Sequence, residues 1–305
     1  MSVEIKGQGL MLTNINVSDP EFYNKKRKKE KELGVKLTSA EFIEKYYEGP
    51  TNKAIASGTS IFDPVLCELV YTWFTNEQDK ILDPFAGGTT RGLVATMLNR
   101  NYTGIDLSKE QIETNQQIAE VVLENGEPTP NWIIGDSRDL NKLVKDKYDF
   151  IFTCPPYGDL EHYSTDPKDL SNMGYEEFDK AYEDIIKKSV AKLKEDRFFA
   201  IVIGNYRDKD GYLRDLVGKT VQYAENAGAH YYNDVIIRNQ VGSAAVRAAL
   251  MFNSSRKITR IHQYLLVFVK GDPKKATKRL EEINTDFLND LVNEYLEKRE
   301  KKNKK

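Results

Sequence analysis

The chain has 305 residues, of which 40% are hydrophobic and 30% charged, and its 45 Lys and Arg against 47 Asp and Glu leave a formal charge of −2. This composition excludes a collagen-like or wholly disordered chain. A chain of this length buries roughly 75% of its unfolded surface, so we expect one large α/β domain with extensions, or two smaller domains. The near-zero charge neither requires nor excludes a nucleic-acid partner.

The sequence gives no sign of export or membrane insertion. No apolar run approaches the roughly 20 residues of a membrane span, and the first residues, Met-Ser-Val-Glu-Ile-Lys, lack the apolar core of a secretory signal. The two cysteines, Cys67 and Cys154, are far apart, and there are three histidines in all. A disulfide framework and a zinc site are therefore not expected. We expect a protein of the reducing cytoplasm without a structural metal.

Residues 1–55 are predicted to form a polar arm, which contains the run Lys-Lys-Arg-Lys-Lys-Glu-Lys at positions 25–31. Clustered Lys and Arg attract a polyanion by releasing its counterions. A solvated helix face has the same composition. Both interpretations of the run stay open at this point.

From about residue 60, segments typical of helices alternate with segments typical of strands. Residues Ile61 to Phe74 are apolar at helical spacing, with Asp63-Pro64 as helix-opening residues. The next predicted elements are strands at Asp79–Pro84, Tyr102–Asp106, Trp132–Ile134 and Tyr148–Thr153, and helices at Thr90–Leu98 and Lys109–Glu124. Short apolar strands between helices are typical of a parallel sheet covered on both faces.

The second half of the chain continues this alternation. The predicted elements are an amphipathic helix at Tyr175–Leu193, strands at Phe198–Ile203, Tyr231–Ile237 and His262–Lys270, and a last helix over residues 277–298. We expect Arg238–Arg260 to be an irregular basic insert. The predicted organisation is an arm at 1–55, a central α/β domain at 56–273 that includes a possible recognition insert at 238–260, and a C-terminal amphipathic helix with a basic tail at 274–305.

Residues 81–92, Ile-Leu-Asp-Pro-Phe-Ala-Gly-Gly-Thr-Thr-Arg-Gly, read as a strand, a sharp glycine turn and the start of a helix. Glycines let a ligand approach the backbone, and the first N–H groups of a helix are free to bind it. On its own, this turn is only weak evidence for a nucleotide-type ligand.

An acidic residue ends each of the first three predicted strands: Asp83, Asp106 and Asp136. An acid about 20 residues past a glycine turn is placed to accept both hydrogen bonds from a ribose diol, which suits Asp106. Helix capping by Asp106 and turn capping by Asp136 are the alternatives, and Asp136 is also a candidate acceptor for an adenine amino group. Ligands of open α/β sheets bind at this edge, so three acids there favour a nucleotide-type ligand.

The fourth predicted strand runs into Thr153-Cys154-Pro155-Pro156-Tyr157-Gly158. Two prolines directly after a buried strand stop its hydrogen-bond ladder and stiffen the turn. Such a turn holds its carbonyl groups and the Tyr157 ring in fixed positions. A rigid turn around a core tyrosine is the alternative interpretation.

Taken in order, four motifs resemble those of the S-adenosylmethionine-dependent DNA methyltransferases that act on exocyclic amino groups, adenine N6 or cytosine N4. The motifs are Asp-Pro-Phe-x-Gly (83–87), Gly-Ile-Asp (104–106), Gly-Asp-Ser (135–137) and x-Pro-Pro-Tyr (154–157). The resemblance covers about residues 55–270, and residues 262–271 are similar to the family's last strand. It implies a Rossmann-like α/β fold, with a mostly parallel seven-stranded sheet and helices on both faces, in a bacterial or phage-infected cell.

The resemblance also implies S-adenosylmethionine as cofactor and assigns residues to it. The Ser60–Pro64 segment would approach the methionine carboxylate, Asp106 would bind the ribose hydroxyls, and Asp136 with Ser137 would hold the adenine. The implied cofactor-binding residues are Ser60, Asp63, Asp83, Phe85, Ala86, Gly87, Asp106, Asp136 and Ser137.

The implied partner is double-stranded DNA, with a homodimer as a further possibility. A base flipped out of the stack would enter the turn formed by Cys154, Pro155, Pro156 and Tyr157. Tyr157 would stack on the base, and the Pro155 carbonyl would accept from its amino group. Positioning would supply most of the rate, without a metal. Candidate DNA contacts are Asn205, Arg207, Arg238 and Arg256.

The sequence departs from the family pattern twice. Its glycine loop is one residue shorter than the usual Gly-x-Gly form, and Cys154 stands where the family has Asp, Asn or Ser. A thiol is a weak acceptor, which leaves the target base and the rate open, with a slight tilt to cytosine. A thiolate nucleophile for cytosine C5 is a rival mechanism, although its cysteine would follow a proline rather than precede one.

Three further alternatives stay open. The same fold serves RNA and protein-amine methyltransferases, and a non-catalytic subunit that binds nucleic acid can keep it. An inert, buried role for Cys154 would fit that last class. His162, in the polar loop after Tyr157, is a weaker candidate for a general base.

Overall fold

Seven strands form one mixed sheet in the computed structural model, which describes residues 22–34, 45–46, 62–123, 128–158, 164, 166–239, 244–283, 289, 292–293 and 295–296. The strands of this sheet are β1 (Lys80–Asp83), β2 (Asn101–Asp106), β3 (Asn131–Ile134), β4 (Phe150–Thr153), β5 (Arg197–Ile203), β8 (His230–Arg238) and β9 (His262–Lys270). Two short strands, β6 (Tyr206–Arg207) and β7 (Leu213–Arg214), pair in a separate hairpin.

Helices occupy most connections between these strands. Within the described residues they are α1 (Phe22–Leu33), α2 (Pro64–Phe74), α3 (Thr90–Met97), α4 (Lys109–Val122), α5 (Leu140–Leu143), α6 (Tyr175–Lys192), α7 (Leu216–Asn226), α8 (Ala244–Ser255) and α9 (Pro273–Lys278). None of the helices in this part of the chain is long and apolar enough to cross a membrane.

The sheet has the order β3-β2-β1-β4-β5-β9-β8. Neighbours from β3 to β5 are parallel, whereas β9 is antiparallel to both β5 and β8. The chain winds outward in one direction from β1 and in the other from β4, so a crevice opens at the carboxyl ends of these two strands. Since β8 is parallel to β5, its carboxyl end lies at the same edge.

Two hydrophobic cores cover the two faces of the sheet, because successive side chains of a strand point to opposite faces. Leu82 and Ile151 belong to one core, with the apolar stripe of α6 and residues of α7. Ile81 and Phe150 belong to the other, with buried residues of α2 and α3. Strands buried on both faces must be apolar throughout, which explains the short apolar runs in the sequence.

The predicted α/β class, the parallel sheet and the helices on both faces are confirmed. The strands and helices predicted between residues 79 and 203 all form, with end shifts of one or two residues, and the strands at 231–237 and 262–270 form as well. The first core helix begins at Pro64, capped by Asp63, whose carboxylate accepts from the backbone N–H groups of Val65 and Leu66.

Two predictions about local structure are wrong in part. The segment Arg238–Arg260 is not irregular throughout, because its alanine-rich part forms α8. The last predicted helix is not continuous over residues 277–298: α9 starts earlier, at Pro273 behind the Asp272 cap, and ends at Lys278, and residues 279–283 are not helical. Residues 289, 292–293 and 295–296 are helical, and the rest of this predicted helix lies outside the described residues. Helix α9 ends at Lys278 because the following residues bind Asn76 instead. The Asn76 side chain donates to the Arg279 carbonyl and accepts from the Glu281 N–H. Helix α7 and the β6–β7 hairpin were not predicted.

The basic run at 25–31 lies on α1. Two of its lysines form ion pairs along the helix, Lys26 with Glu30 at 3.7 Å and Lys29 with Glu32 at 3.0 Å. Ser60 and His162, both singled out from the sequence, lie outside the described residues.

Asp149 joins the amino ends of three strands. It is 5% exposed, and its carboxylate accepts from the Lys80 N–H, Lys194 Nζ and Arg197 Nε at 2.8–3.1 Å. Burial by itself raises the pKa of Asp149, but hydrogen bonds from Lys194 and the Lys80 N–H outweigh it and leave the pKa below its usual value.

We expect Asp149→Asn to lower the free energy of unfolding by about 1–3 kcal/mol at pH 7. Because the native pKa is depressed, the carboxylate contributes this stability above its unfolded pKa of about 3.9 and loses it as the pH falls through the native value. Urea unfolding at pH 7 and in acid measures the difference. Asp146→Asn, which removes an exposed partner of Lys80, is the control and should change stability little. Equal losses in the two variants would contradict this assignment.

Candidate active site

Most of the residues predicted to form a site lie together at the carboxyl edge of the sheet. The glycine loop (residues 84–88) follows β1, Asp106 ends β2, Asp136 and Ser137 follow β3, and residues 154–157 follow β4. These four strands are neighbours in the order β3-β2-β1-β4, so the four segments are contiguous along the edge. The segments flank the crevice at which ligands of open α/β sheets bind.

Asp106 is tied to the glycine loop. Its Oδ2 accepts from the Gly87 N–H and its Oδ1 from the Ser108 N–H, both at 2.8 Å. Burial raises the pKa of Asp106, although these two hydrogen bonds act in the opposite direction. A carboxylate has about four acceptor positions, so each oxygen keeps capacity for one further donor. A pair of vicinal hydroxyls is a ligand of that chemistry.

The conformation of the glycine loop depends on Gly87 and on a hydrogen bond from α4. Gly87 has a φ of +52°, which favours glycine, and a Cβ added at Gly87 or Gly88 would meet no heavy atom within 4 Å. The fully buried Asn115 of α4 donates from Nδ2 to the Gly87 carbonyl at 2.7 Å, and Gln111 donates to the Asn115 side chain at 2.8 Å. The loop therefore leaves open space at Gly87 and Gly88, next to the Asp106 carboxylate.

Asp83, which ends β1, is completely buried and accepts four hydrogen bonds. Its Oδ1 accepts from the Phe85 N–H at 3.1 Å and from Thr153 Oγ1 at 2.6 Å. Its Oδ2 accepts from Arg91 Nε at 2.6 Å and from the Tyr102 hydroxyl at 2.7 Å. The side chain therefore lies beneath the glycine loop, with its acceptor positions occupied by the protein.

Arg91, in the first turn of α3, extends this network. Its Nη2 donates to the carbonyls of Phe85 and Ala86 at 2.6 and 2.9 Å. Its guanidinium also stacks on the Phe62 ring, 4.6 Å from the centroid. Burial opposes the charge of Arg91, but Asp83 outweighs this effect, and the pKa of Arg91 is raised. One buried cation thus fixes the loop carbonyls and Phe62, next to the helix-capping Asp63.

The two residues after β3 have partners within the protein. Asp136 accepts from the Arg138 N–H and from the Arg138 guanidinium, which together outweigh burial and lower the pKa of Asp136. Ser137 is 7% exposed, and its hydroxyl donates to the Pro84 carbonyl. Ser137 therefore fastens the end of β3 to the start of the glycine loop.

The turn after β4 is anchored at both ends. Thr153 is fully buried and donates to Asp83, while Gly158 has a φ of +59° and lies against Tyr206, whose hydroxyl would be 2.2 Å from an added Cβ. Between these anchors, Pro155 is buried, and Cys154, Pro156 and Tyr157 are partly exposed.

Aromatic residues line the same region. Phe85 and Tyr157 both pack against the core that contains Tyr182 and Tyr206, and the Phe85 and Tyr182 rings lie 6.3 Å apart. Cys154 packs against the opposite core, which contains Phe152. The turn therefore presents side chains to both cores at the mouth of the crevice.

The predicted DNA contacts lie toward the β5 and β8 end of the edge. Asn205 follows β5 and accepts from the Val217 N–H in the first turn of α7 at 2.8 Å. Arg207 donates to the Gly211 carbonyl at 2.9 Å within the β6–β7 hairpin. Arg238 ends β8 opposite His262, and Arg256 follows α8 with its guanidinium 5.0 Å from the Phe252 ring. Both Arg238 and Arg256 are exposed.

Sequence reasoning missed the side chains that support the site: Arg91, Tyr102, Asn115, Thr153 and Gly158. A charged residue among the apolar residues of α3 and an asparagine inside α4 were the visible signals. Neither signal reveals the partner, because the partners come from other strands and loops. In the part of the chain that the structure describes, no group of three or more His, Cys, Asp or Glu residues is arranged to hold a metal ion.

Comparison with known proteins adds an independent observation. A family model for N6- and N4-type DNA methylases matches residues 21–117 and 148–305. The Type II methyltransferase M2.DpnII of Streptococcus pneumoniae is 46% identical over 48 residues, which are 16% of this chain and 18% of that protein. The match thus spans less than a fifth of that relative.

The solved structures to which this chain is similar are remote in sequence. TrmN from Thermus thermophilus superposes with a TM-score of 0.48 and 16% identity, covering 68% of this chain and 49% of TrmN. A methyltransferase from Pyrococcus furiosus has a TM-score of 0.46 and 14% identity, covering 84% of this chain and all of its own. Similarity at this level carries no argument about activity.

We expect Gly158→Ala to lower the free energy of unfolding by about 1–3 kcal/mol, because the alanine is strained at positive φ and its Cβ overlaps the Tyr206 hydroxyl. Gly88→Ala is the matched control and should leave stability nearly unchanged, since its Cβ meets no atom within 4 Å. Urea unfolding of both variants checks this. Equal stabilities would show that Tyr206 does not anchor the turn.

Proposed function

The chain belongs to the DNA methylase family of the N6/N4 type, whose model matches most of its length, and on that premise we propose that it methylates an exocyclic amino group, adenine N6 or cytosine N4, of a base flipped out of double-stranded DNA. The observation that carries the proposal is that the open glycine loop with Asp106 and the turn at 154–157 meet at one crevice, between β1 and β4. A methyl donor in the first and a base in the second would lie next to each other.

S-adenosylmethionine is the cofactor of this methyltransferase. When bound, it supplies an electrophilic methyl group on a sulfonium that leaves with the bonding electrons. We assign Asp106 to the ribose hydroxyls and the space over Gly87 and Gly88 to the body of the cofactor. Phe85 shapes the wall of that space, whereas the Ala86 side chain is completely buried and supports the loop from the core.

The other cofactor assignments differ in how directly they act. Asp83 acts through the glycine loop, because its acceptor positions are occupied by protein donors. Ser137 acts on Pro84 in the same indirect way. Asp136 marks the adenine end of the site, and Asp63 orients the start of α2 toward the methionine end.

The turn at 154–157 receives the base. The Tyr157 ring stacks on it, and the Pro155 carbonyl accepts from its amino group. The Tyr157 ring and the Pro155 carbonyl would hold the amino nitrogen toward the space over Gly87 and Gly88, where the bound cofactor would supply its methyl group, and the amino group would give up its proton to water. Fixed positions for the ring and the carbonyl supply the alignment on which the rate depends.

The duplex is assigned to the exposed basic residues at the β8 end of the edge. Arg238 and Arg256 are exposed, and Arg207 lies on the hairpin next to β5. Cationic side chains bind DNA phosphates by releasing counterions, and arginine also reads guanine in the major groove. The connection that holds Arg256 extends from the same edge as the crevice.

In the decisive test, the purified chain is incubated with labelled S-adenosylmethionine and either unmethylated duplex DNA or RNA of the same sequence. The nucleosides of the DNA or RNA are then analysed by mass spectrometry. We expect N6-methyladenine or N4-methylcytosine in the DNA. 5-Methylcytosine would overturn the mechanism, and label only in RNA would overturn the substrate. Cofactor binding without transfer to either would indicate a non-catalytic role.

Stacking by Tyr157 predicts a specific pattern. Base–aromatic stacking is worth about 1–3 kcal/mol, so Tyr157→Ala should lower kcat/KM for DNA by roughly 5–150-fold. Tyr157→Phe keeps the ring and should retain most of the activity. Calorimetric affinity for S-adenosylmethionine serves as the control and should stay unchanged in both. Equal losses in the two variants would show that the ring does not stack on the base.

Cys154→Ser distinguishes two roles for this residue, hydrogen-bond acceptor for the target amine and thiolate nucleophile. A hydroxyl accepts a hydrogen bond better than a thiol, so as an acceptor for the target amine the serine should support a rate equal to or above that of the unmodified chain. Single-turnover methyl transfer measures the rate. Abolished transfer would contradict the acceptor role and indicate a thiolate nucleophile.

A further inference from the structure

The Asp83 carboxylate connects the two halves of the crevice through one oxygen atom. Its Oδ1 accepts from the Phe85 N–H at 3.1 Å and from Thr153 Oγ1 at 2.6 Å. Phe85 is part of the glycine loop, and Thr153 directly precedes Cys154. The loop that holds the cofactor and the turn that receives the base therefore share an acceptor.

The other oxygen fixes the orientation of that carboxylate. Oδ2 accepts from Arg91 Nε and the Tyr102 hydroxyl at 2.6 and 2.7 Å, and both donors are buried. A rotation of the Asp83 side chain would break both bonds and leave a charge unpaired in the interior, which costs several kcal/mol. The hydrogen bonds to Oδ2 thus also fix the position of Oδ1.

Arg91 in turn holds the glycine loop on its other side. It donates to the Phe85 and Ala86 carbonyls, so the loop is bound at its N–H by Asp83 and at its C=O groups by Arg91. Thr153 is the corresponding attachment for the turn after β4. Its side chain is fully buried and separated from solvent.

We propose that Thr153 is a positioning residue for methyl transfer: through Oδ1 of Asp83, its hydroxyl sets the distance between the turn at 154–157 and the glycine loop. This proposal rests on the proposed function, because it concerns the alignment of base and methyl donor. In-line transfer is sensitive to that distance, and a displacement of about 1 Å costs roughly 100-fold in rate.

Thr153→Val tests the proposal, since valine keeps the shape and removes the hydroxyl. At saturating cofactor and DNA, we expect its single-turnover rate to fall by roughly 10–100-fold. Affinity for S-adenosylmethionine should stay within about twofold of that of the unmodified chain. The reason is that the hydrogen bond from the Phe85 N–H to Asp83 and those from Arg91 to the loop carbonyls remain. Thr153→Ser restores the hydroxyl and should recover most of the rate. A Val variant that transfers at the rate of the unmodified chain would overturn the proposal.

A matched control separates positioning from general stability. Thr75 is also buried, and its hydroxyl donates to the Tyr71 carbonyl and accepts from Arg100 at the opposite edge of the sheet. Thr75→Val should also lower the melting temperature, because it removes a buried hydrogen-bonded hydroxyl, but should leave the rate unchanged. A parallel fall of rate and melting temperature in both variants would reduce Thr153 to a structural role.

A second readout does not depend on the acceptor. Amide hydrogen exchange in residues 153–158 is measured with and without S-adenosylmethionine. We expect cofactor binding to protect this turn in the unmodified chain and in Thr153→Ser, but less in Thr153→Val. Equal protection in all three would overturn the proposal. If cofactor binding protects the turn as expected in these three proteins but the unmodified chain transfers no methyl group to DNA, the result would instead contradict the proposed function.

Discussion

A carboxylate buried at the end of β1 requires hydrogen-bond donors on all sides, and the architecture of the crevice follows from how that requirement is met. Asp83 obtains its donors from β2, α3, the end of β4 and the glycine loop. An unpaired charge at this depth would cost several kcal/mol, so each of these segments is held to within hydrogen-bond distance of one group. The site is organised from beneath by a residue that is itself inaccessible.

The sheet topology converts this local arrangement into a binding crevice. Because β1 and β4 are neighbours and the chain departs from them in opposite directions, the loops after these strands diverge and leave space between them. Asp106 and Asn115 hold the Gly87 backbone from one side, while the Thr153 and Gly158 anchors hold the turn at 154–157 from the other. A rigid framework of this kind reduces the reorganisation needed when reactants bind.

The elements that the sequence predicted well are those whose pattern is set by burial alone. Strands such as 198–203 are apolar on both faces, and the stripe of α6 recurs at helical spacing. Helix α8 was missed because its basic and small residues were weighed above the helix propensity of its alanines. The end of α9 depends on Asn76, which is about 200 residues away in the chain, and no local pattern contains that information.

In the candidate site, too, local sequence patterns predicted some features, and others depend on partners that are distant in the chain. The sequence motifs indicated which strand ends would meet, and the structure brings those segments together. The motifs did not distinguish a residue that faces the crevice, such as Asp106, from one that lies beneath it, such as Asp83. That difference depends on Arg91, Tyr102 and Thr153, which come from three separate elements and become partners only in the folded chain.

The most direct test of this account is a crystal structure of the chain with S-adenosylhomocysteine and a duplex that contains its methylation site. We predict the ribose hydroxyls within hydrogen-bond distance of Asp106, and an extrahelical adenine or cytosine against the Tyr157 ring. A cofactor bound elsewhere, for example in the cavity of about 300 Å³ that Lys80, Arg100 and Tyr148 line at the opposite edge, would contradict the account. A base that enters the site away from the turn at 154–157 would contradict it as well.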